Sequence, residues 1–414
     1  MKKKIFVRGP VLSQSGYGEQ ARFALRALRT REDIFDIYVH PVSWGQTGWV
    51  WENSDFRTWL DEKVTLTHVM IQKKQLQPDI SLQITIPNEF QKLCPVNIGY
   101  TAGIETTKTS PGWLEKGNAM DKILVVSNHA KETYVNTVAQ AVNAQTRETV
   151  PYKLETPVEV VWESTPRAEP QEIPGLELDY DFNFLMVSQI SPRKNFENAL
   201  KWWVEEFVDQ EVGLVVKCNL MSNSLTDWTH LEPIVENMLS KYPERKCKVY
   251  LLHGDLTSGQ MVGLYNNPKI KAMVNIAHGE GFGLPMFEAA REGLPIVTIG
   301  WSGQIDFLNY NGKDYFQSVE YTLQPVQPEA VWDGVIEKDA MWAYADQGSF
   351  KMSLRKMKKQ WDGAKKTAEE LKTILEEKFS DEKLYAGFVE HFKEYCDDSD
   401  DWLNEIEDII KEYE

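Results

Sequence analysis

The sequence predicts an α/β protein made of two domains, each built on a parallel, doubly wound β-sheet. Short runs of β-branched and aromatic residues alternate with amphipathic helical stretches, which is the pattern of repeated β-α-β units. At 414 residues the chain is long for one domain and sufficient for two cores. A stretch rich in Pro, Glu and Gly, residues 163–181, interrupts the pattern and is the best candidate for a linker.

These patterns set the expected boundaries and elements. We expect an N-terminal domain over residues 1–170, a linker over 171–182, a C-terminal domain over 183–380, and acidic C-terminal helices over 381–414. The first domain is expected to contain strands at 5–8, 37–42, 80–84, 96–100 and 123–127, with helices at 19–30, 112–120 and 130–144. The second is expected to contain strands at 183–187, 213–218, 248–253, 271–277 and 294–299, with helices at 196–208, 231–241, 258–265 and from Pro285.

The most informative stretch is a glycine-rich turn at residues 278–288, which read His-Gly-Glu-Gly-Phe-Gly-Leu-Pro-Met-Phe-Glu. Its glycines end the expected strand 271–277, and Pro285 suits the first position of a helix. Ligands of doubly wound sheets bind at the carboxyl ends of the strands. We therefore expect a ligand site at this turn.

The chemistry of the turn predicts a ligand with an anionic part and a part rich in hydroxyl groups. Glycines allow close approach of the backbone, and N–H groups at a helix start attract anions. The backbone expected to form this cradle is that of Gly281, Phe282, Gly283 and Leu284. Glu280 and Glu288, the latter expected in the first helical turn, would point into one pocket, where a carboxylate accepts two hydroxyls. A nucleotide sugar has both parts, although a solvated loop acid and a helix-start acid also fit these glutamates.

A basic motif, Ser-Gln-Ile-Ser-Pro-Arg-Lys-Asn at residues 188–195, follows the first strand of the second domain. Arg193 and Lys194 are suited to neutralise a diphosphate, one as a planar fork and the other as a point charge. On the residues alone, a solvated basic pair beside a helix start is an equal alternative.

A third motif, Arg-Gly-Pro-Val-Leu-Ser-Gln-Ser-Gly-Tyr-Gly-Glu at residues 8–19, follows the first strand of the chain. We expect Gly16, Tyr17 and Gly18 to bring backbone N–H groups to a phosphate or a sugar. A G-x-G pattern by itself fits a plain tight turn equally well.

Together these motifs resemble a known family. The spacing Glu280-Gly-Phe-Gly-Leu-Pro-x-x-Glu288 resembles the E-x7-E signature of the retaining nucleotide-sugar glycosyltransferases with the GT-B fold, family 4 type, and the other two motifs are similar to segments of the same family. The resemblance implies two Rossmann-like domains facing across a cleft, with the last helices crossing back onto the first domain. One departure is Gln189, because many relatives carry an arginine five residues before the lysine.

The resemblance also implies an activity and a role for each residue. A hexosyl or pentosyl group would move, with retention at the anomeric carbon, from a nucleoside diphosphate sugar to a hydroxyl acceptor, and a UDP-sugar is the default donor. Glu280 would bind hydroxyls of the donor sugar, Glu288 the ribose hydroxyls, and Arg193 with Lys194 the leaving diphosphate. The phosphate oxygen would take the acceptor's proton, and charge on the ring would be stabilised electrostatically. No metal or other cofactor is expected.

Weaker features remain open. The segment 99–113 also resembles the family, and the resemblance would put Glu105 near the cleft, although this residue is equally suited to local capping or pairing. The segment 301–308, at the next strand end after the signature, resembles the family too, and the resemblance implies that it shapes the nucleotide side. Packing under a loop is expected for a tryptophan cluster, although such rings also stack on sugars or bases: Trp44, Trp49, Trp51 and Trp59. A solvated helix face is expected for an arginine stripe, with a phosphate contact as the alternative: Arg22, Arg26 and Arg29.

Charge and composition limit the possible partners. The formal charge is −17, but residues 394–414 alone hold ten acidic residues and one lysine, whereas residues 1–170 hold twenty basic and nineteen acidic residues. An anionic acceptor near the first domain is therefore compatible with the charge. Four cysteines without metal-ligand spacing predict a reduced, cytoplasmic protein, and no apolar run approaches the ~20 residues that span a bilayer, so no transmembrane contact is expected. The acidic runs at 179–181 and 397–401 match D-x-D metal motifs only by chance.

Three functions stay open from the sequence. The first is a cytoplasmic transferase that acts on a saccharide or a lipid-linked acceptor. The second is a bacteriophage transferase that modifies hydroxymethylated pyrimidines in DNA, which the near-neutral first domain permits and the total charge disfavours. The third is an inactive carbohydrate-binding relative, which the presence of Glu280, Glu288 and Lys194 disfavours.

Overall fold

A computed structural model describes residues 2–142, 147–396, 406 and 409–411 of the chain. The described residues form two compact units. Those of Met1–Ser164, Val331–Ala340 and Glu377–Glu414 belong to the first, and those of Thr165–Ala330 and Met341–Glu376 to the second. Each unit contains a six-stranded parallel sheet with helices, which confirms the predicted α/β class.

The sheet of the first unit has the order β2-β1-β3-β4-β5-β8, and all its neighbouring strands are parallel. The strands of this part are β1 (Lys3–Gly9), β2 (Phe35–Pro41), β3 (Ile80–Ile84), β4 (Val96–Thr101), β5 (Lys122–Val125), β6 (Ala139–Val142), β7 (Thr149–Tyr152) and β8 (Val158–Val160). Its helices are α1 (Gly16–Arg29), α2 (Asp55–Gln72), α3 (Pro111–Gly117) and α4 (Asn128–Asn136). Strand order reverses between β1 and β3, so the carboxyl ends of these two neighbouring strands form a topological switch point.

Two elements of the first unit differ from the sequence prediction, and in the second unit the helix expected over 231–241 spans Leu225–Leu239. The helix expected over 130–144 ends at Asn136, and 139–142 instead pairs antiparallel with β7 in a hairpin; residues 143 and 144 lie outside the described residues. The helix ends because Thr137 is extended, with its hydroxyl donating to Thr133 O and accepting from Thr109 N–H. The expected loop after β2 contains helix α2, which Ser54 caps by accepting from Arg57 N–H at 3.1 Å.

The sheet of the second unit has the order β11-β10-β9-β12-β13-β16, again entirely parallel. The strands of this part are β9 (Asn183–Gln189), β10 (Gly213–Asn219), β11 (Lys248–Leu252), β12 (Ile270–Asn275), β13 (Ile296–Ile299), β14 (Asn309–Tyr310), β15 (Lys313–Asp314), β16 (Gln317–Val319), β17 (Tyr321–Pro325) and β18 (Met341–Ala345). Its helices are α5 (Phe196–Phe207), α6 (Leu225–Leu239), α7 (Ser258–Tyr265), α8 (Leu284–Arg291), α9 (Ile305–Leu308), α10 (Gln347–Lys359) and α11 (Trp361–Lys378).

The core of the second unit lies between its sheet and the amphipathic helix α5. Trp203 and Phe207 on this helix are fully buried, and their rings lie 6.3 and 5.5 Å from that of Phe184 on β9. The strands are apolar along most of their length because a parallel sheet is covered on both faces. This packing fixes the position of β9, whose carboxyl end carries the basic motif.

The C-terminal part of the chain returns to the first unit through helix α12 (Asp381–Glu390). Its Phe388 is fully buried, with ring centroids 5.9 Å from Phe23 of α1 and 5.6 Å from Tyr100 of β4. Ser380 caps the helix by accepting from Lys383 N–H. Most of the acidic tail after residue 396, including the acidic run 397–401, lies outside the described residues.

A short segment inside the expected C-terminal domain also belongs to the first unit. The carbonyl oxygen of Gly334 accepts from Nδ2 of Asn88 and from Oγ of Ser110, both at 2.9 Å, and Asp339 pairs with Lys108. These contacts explain why residues 331–340 group with the first unit although they fall within the expected range 183–380. None of the described helices is long and apolar enough to cross a membrane.

We predict that Phe388→Ala lowers the free energy of unfolding of the first unit by ~3–5 kcal/mol, the usual cost of removing a buried aromatic ring. Urea denaturation followed by circular dichroism measures the change. Leu66→Ala is the control, because its side chain is 44% exposed on α2 and its loss should cost within ~0.5 kcal/mol. Equal stability of the two variants would contradict the described packing of α12.

Candidate functional site

The two motifs of the second unit meet where its strand order reverses. β9 and β12 are neighbours in the sheet, the basic motif follows β9, and the glycine-rich turn follows β12. Ligands of open α/β sheets bind at the carboxyl ends of the strands at such a reversal. The structure brings Arg193, Lys194 and Glu280 into direct contact at this place.

The carboxylate of Glu280 is the centre of this cluster. Nζ of Lys194 donates to its two oxygens at 2.7 and 2.6 Å. Nη1 of Arg193 donates to Oε2 at 3.1 Å and to the carbonyl oxygen of Gly279 at 2.6 Å. Nδ2 of Asn275, the last residue of β12, donates to Oε1 at 3.1 Å. We call Glu280, Lys194, Arg193 and Asn275 the Glu280 network.

Burial and charge divide the network into an inner and an outer part. The side chain of Glu280 is 6% exposed, against 16% for Lys194 and 26% for Arg193, so the carboxylate lies deepest. Burial alone would raise the pKa of Glu280, but the charges of Lys194 and Arg193 lower this pKa to about 2. The carboxyl group is therefore ionised at neutral pH. One carboxylate and two cations leave the network with a formal charge of +1, which favours an anionic ligand.

The backbone of Glu280 is held by the loop that follows β13. Its N–H donates to Oγ of Ser302 at 2.9 Å, and its carbonyl oxygen accepts from Gly303 N–H at 2.9 Å. Gly303 has to be a glycine, because a Cβ there would lie 1.9 Å from the carbonyl oxygen of Gly281. Ser302 adopts a φ of 78°, which is uncommon for a residue other than glycine. This loop therefore fixes the orientation of the Glu280 backbone.

The basic pair is placed with similar rigidity. Pro192–Lys194 form a 3₁₀ turn, and Asn195 follows with a φ of 52°, a left-handed conformation that asparagine tolerates. Nδ2 of Asn195 donates to the carbonyl oxygen of Ile276 at 3.1 Å, and His278 N–H donates to that of Arg193 at 2.8 Å. These bonds tie the ends of β9 and β12 together.

His278 is a packing residue in this structure. Its ring is stacked on Trp342 at 4.6 Å, and Nδ1 lies 2.7 Å from the carbonyl oxygen of Ala343. A carbonyl only accepts hydrogen bonds, so Nδ1 carries the proton. Burial lowers the pKa of His278, which keeps the ring neutral at neutral pH. The contact anchors β18 beside the glycine-rich turn.

The predicted cradle coincides with the start of α8. Gly283 caps this helix in a left-handed conformation with a φ of 95°, and the N–H groups of Met286 and Phe287 donate to its carbonyl oxygen. The predicted backbone segment Gly281, Phe282, Gly283 and Leu284 precedes these first helical bonds. The ring of Phe282 lies in the core, 5.3 Å from Phe287, so only its backbone is placed to meet a ligand.

Glu288 lies in the second turn of α8 and not in the first turn that the sequence predicts, because the helix begins at Leu284. Its Oε2 accepts from the hydroxyl of Tyr265 at the end of α7, at 2.8 Å. Tyr265 is buried, and burial followed by the charge of Glu288 raises the pKa of its hydroxyl well above the usual range. Tyr265 thus holds the Glu288 carboxylate in one orientation.

The glycine motif of the first unit forms the first turn of α1 rather than a separate loop. Ser15 caps the helix by accepting from Gly18 N–H at 3.0 Å, so this N–H is already engaged. Gly16 is exposed, and Tyr17 donates to or accepts from the hydroxyl of Thr101 at 2.8 Å. Burial, and to a smaller extent the charges of Glu105 and Glu163, raise the pKa of Tyr17 well above its usual range.

The arginine stripe of α1 is not the solvated face that the sequence analysis expects. Arg22 is 7% exposed and donates to Glu19 and to the carbonyl oxygens of Val11 and Ser13. Arg29 lies over the ring of Trp59 at 5.2 Å. Arg26 and Arg29 are half-buried. Arg22 is buried because its guanidinium group donates to the carbonyl oxygens of the chain that leaves β1, which fixes the loop before α1.

Two residues of the second unit that hold the candidate site, Asn275 and Tyr265, were not predicted from the sequence, and Ser302 was predicted only as part of the segment 301–308. For the loop at Ser302 the sequence Ser302-Gly303-Gln304 gives a local signal, because serine and glycine directly after an apolar strand indicate a tight loop.

Gln189, at the position where relatives carry arginine, donates from Nε2 to Leu220 O at 2.6 Å. Among the described residues, no group of three or more His, Cys, Asp or Glu side chains is arranged to hold a metal ion.

Known structures resemble the chain over nearly its whole length. Sucrose-phosphate synthase from Thermosynechococcus elongatus has a TM-score of 0.62 at 12% identity and covers 95% of this chain and 99% of its own. HepE from Anabaena, in complex with UDP and glucose, has a TM-score of 0.58 at 11% identity, with 95% and 100% covered. A glycosyltransferase from Rickettsia africae has a TM-score of 0.57 at 13% identity, with 95% and 98% covered.

No family model matches the sequence, and no curated protein sequence matches it. At 11–13% identity the structural likeness shows the fold and nothing further. The chain has the GT-B fold with two Rossmann-like domains, as the sequence predicts.

We predict that Glu280→Gln lowers the free energy of unfolding of the second unit at pH 7 by about 3 kcal/mol, because the folded-state pKa of about 2 lies below the ordinary value of 4.5. A lowered pKa stabilises the fold above the ordinary pKa, and this contribution is lost as pH falls from about 5 toward 2. The difference from wild type should therefore shrink over that range in urea denaturation.

Glu236→Gln is the control, because Glu236 is exposed on α6 and its change should stay within ~0.5 kcal/mol. A Glu280→Gln protein as stable as the wild type at pH 7 would rule out the Glu280 network as a stabilising element.

Proposed function

We propose that the protein is a glycosyltransferase that moves a hexosyl or pentosyl group from a UDP-sugar to a hydroxyl acceptor, with retention at the anomeric carbon. The observation that carries the proposal is the Glu280 network, a positively charged cluster at the switch point of the second sheet. The fold agrees with it, since proteins of this fold include one bound to UDP and glucose and one described as a glycosyltransferase.

In this proposal the donor diphosphate lies against the outer side of the network. Arg193 offers a planar fork and Lys194 a point charge, and both compensate the negative charge that grows on the leaving diphosphate. The backbone at the start of α8, which ends the same glycine-rich turn, adds N–H groups as donors to the diphosphate. Glu280 is more deeply buried than the two cations and bonds to both, so its first role is to position them.

The assignments for the sugar and the ribose rest on the two glutamates. Both oxygens of Glu280 accept hydrogen bonds from protein groups in this structure. To bind sugar hydroxyls directly, the same oxygens must accept from the sugar as well as from Lys194, Arg193 and Asn275. Glu288, oriented by Tyr265, is the proposed acceptor for the ribose hydroxyls. The bond between the anomeric carbon and the diphosphate oxygen breaks, the acceptor oxygen bonds to the same face, and the acceptor's proton passes to the leaving phosphate oxygen.

No metal ion is part of the proposal. Arg193, Lys194 and the helix start supply the compensating charge, and a test with a chelator addresses this point directly. Turnover that is unchanged in EDTA supports it, and turnover that requires added Mg²⁺ or Mn²⁺ opposes it.

The proposal is tested by incubating the protein with a panel of UDP-sugars and measuring release of UDP, with and without saccharide acceptors. We predict that Lys194→Met lowers turnover by about 100-fold, the typical loss for one electrostatic contact to a developing anion. Lys201→Met is the matched control, because Lys201 lies on α5 with a side chain that is 55% exposed. UDP release that is equal in wild type and Lys194→Met would contradict the proposed role of the basic pair.

A further inference from the structure

Two tryptophans of the first unit are exposed on the connection between β2 and α2. The exposed fraction is 71% for Trp49 and 91% for Trp51, whereas Trp59 of the same cluster is 8% exposed and Trp44 lies against Tyr17 with ring centroids 4.3 Å apart. The sequence analysis expects all four to pack under a loop, and this expectation is wrong for Trp49 and Trp51. We call these two residues the tryptophan pair.

The segment that carries the tryptophan pair is fixed to the chain leaving β1. Gly48 O accepts from Gln14 N–H, and Val50 N–H donates to Leu12 O, both at 2.8 Å, so a short antiparallel bridge forms between Ser13 and Trp49. On the other side, Nη1 of Arg57 in α2 donates to Val50 O at 2.6 Å. The two rings are therefore presented by a backbone that is hydrogen-bonded from two directions.

The position of this segment matches that of a ligand site. Residues 12–14 lie within five residues of the end of β1 at Gly9, and β1 is the strand at which the order of the first sheet reverses. Ligands of open α/β sheets bind at this edge. The tryptophan pair thus stands beside the strand end where the fold itself favours binding.

Exposure of two large aromatic side chains on a fixed segment requires an explanation. Among the described residues, neither indole N–H of Trp49 and Trp51 has a hydrogen-bond partner. An indole offers a flat apolar face and one donor, which suits a ligand that is apolar on one face and polar at its edge. A sugar ring has these two features, because its C–H groups form a face and its hydroxyls lie around the rim.

The charges around the tryptophan pair distinguish between ligands. The exposed neighbours are Glu52, Asn53 and Asp55, and the cation Arg57 is paired with Asp61 at 2.9 Å. Carboxylates and amides accept hydrogen bonds from sugar hydroxyls, whereas the negative charges of the two carboxylates, Glu52 and Asp55, repel phosphate groups. The surroundings therefore favour a neutral saccharide over a nucleic acid or an anionic lipid surface.

We infer that Trp49 and Trp51 form a platform that binds a sugar ring of a neutral saccharide acceptor. The inference rests on the proposed function and narrows its acceptor from any hydroxyl compound to a neutral glycan. Stacking on the indole faces supplies the affinity, and Glu52 with Asn53 supplies hydrogen-bond partners for the hydroxyl groups.

The experiment is binding of the wild-type protein to an array of neutral and acidic glycans, with hydroxymethylated duplex DNA as a second arm. The dissociation constant for the neutral glycan with the strongest signal is then measured by calorimetry. Trp51→Ala and Trp49→Ala should each weaken binding roughly tenfold, the size typical for removing an aromatic anchor. Trp51→Phe should retain most of the affinity because a flat ring remains. Met352→Ala, an apolar side chain that is 60% exposed on α10, should bind as the wild type does.

The outcomes separate this inference from the proposed function. Absence of any glycan signal from the wild type, or dissociation constants that Trp49→Ala and Trp51→Ala leave unchanged, overturns the platform. Binding of DNA that depends on the two tryptophans also overturns it, in favour of a nucleic-acid acceptor. Calorimetric titration of the wild type with UDP is the independent test of the proposed function, so glycan binding without UDP binding supports the platform and opposes the transferase.

Discussion

The ion pairs between Glu280 and the two cations Lys194 and Arg193 join the parts of the second unit that matter for function. The two cations follow β9 and the carboxylate follows β12, so the carboxylate can hold the cations only if these two strands are adjacent. A buried carboxylate without these partners would cost several kcal/mol or become protonated. The sheet, the glycine-rich turn and the 3₁₀ turn of the basic motif are therefore constrained by one electrostatic contact.

The loops around this contact are held by bonds that leave little freedom to the backbone. Ser302 and Gly303 fix the peptide groups of Glu280, and His278 joins the end of β12 to both Arg193 and β18. Such supporting contacts keep charged groups in place when a ligand replaces water, and so reduce the reorganisation that binding requires. The first unit follows the same plan, because Arg22 fixes the chain between β1 and α1.

The sequence predicted the class of the fold and placed both motifs of the second unit at strand ends. It could do so because hydrophobic periodicity and glycine placement are local properties. It also predicted Arg193, Lys194 and Glu280 as one site, since strand ends of a parallel sheet lie at one edge. It could not predict that Glu280 lies beneath the cations, because burial depends on the loop at Ser302, which is distant in sequence. The pairing of Glu288 with Tyr265 and the exposure of Trp51 likewise depend on tertiary contacts that no single segment encodes.

The central claim is that the positive charge held by Glu280 binds the diphosphate of a nucleotide. The most direct measurement is calorimetric titration of the wild-type protein with UDP, UMP and uridine under one buffer condition. The account predicts that UDP binds at least about tenfold more tightly than UMP and that uridine binds more weakly still, because each phosphate adds a charge-assisted contact. Equal affinities for UDP and uridine would contradict it, since the cations would then contribute nothing to recognition.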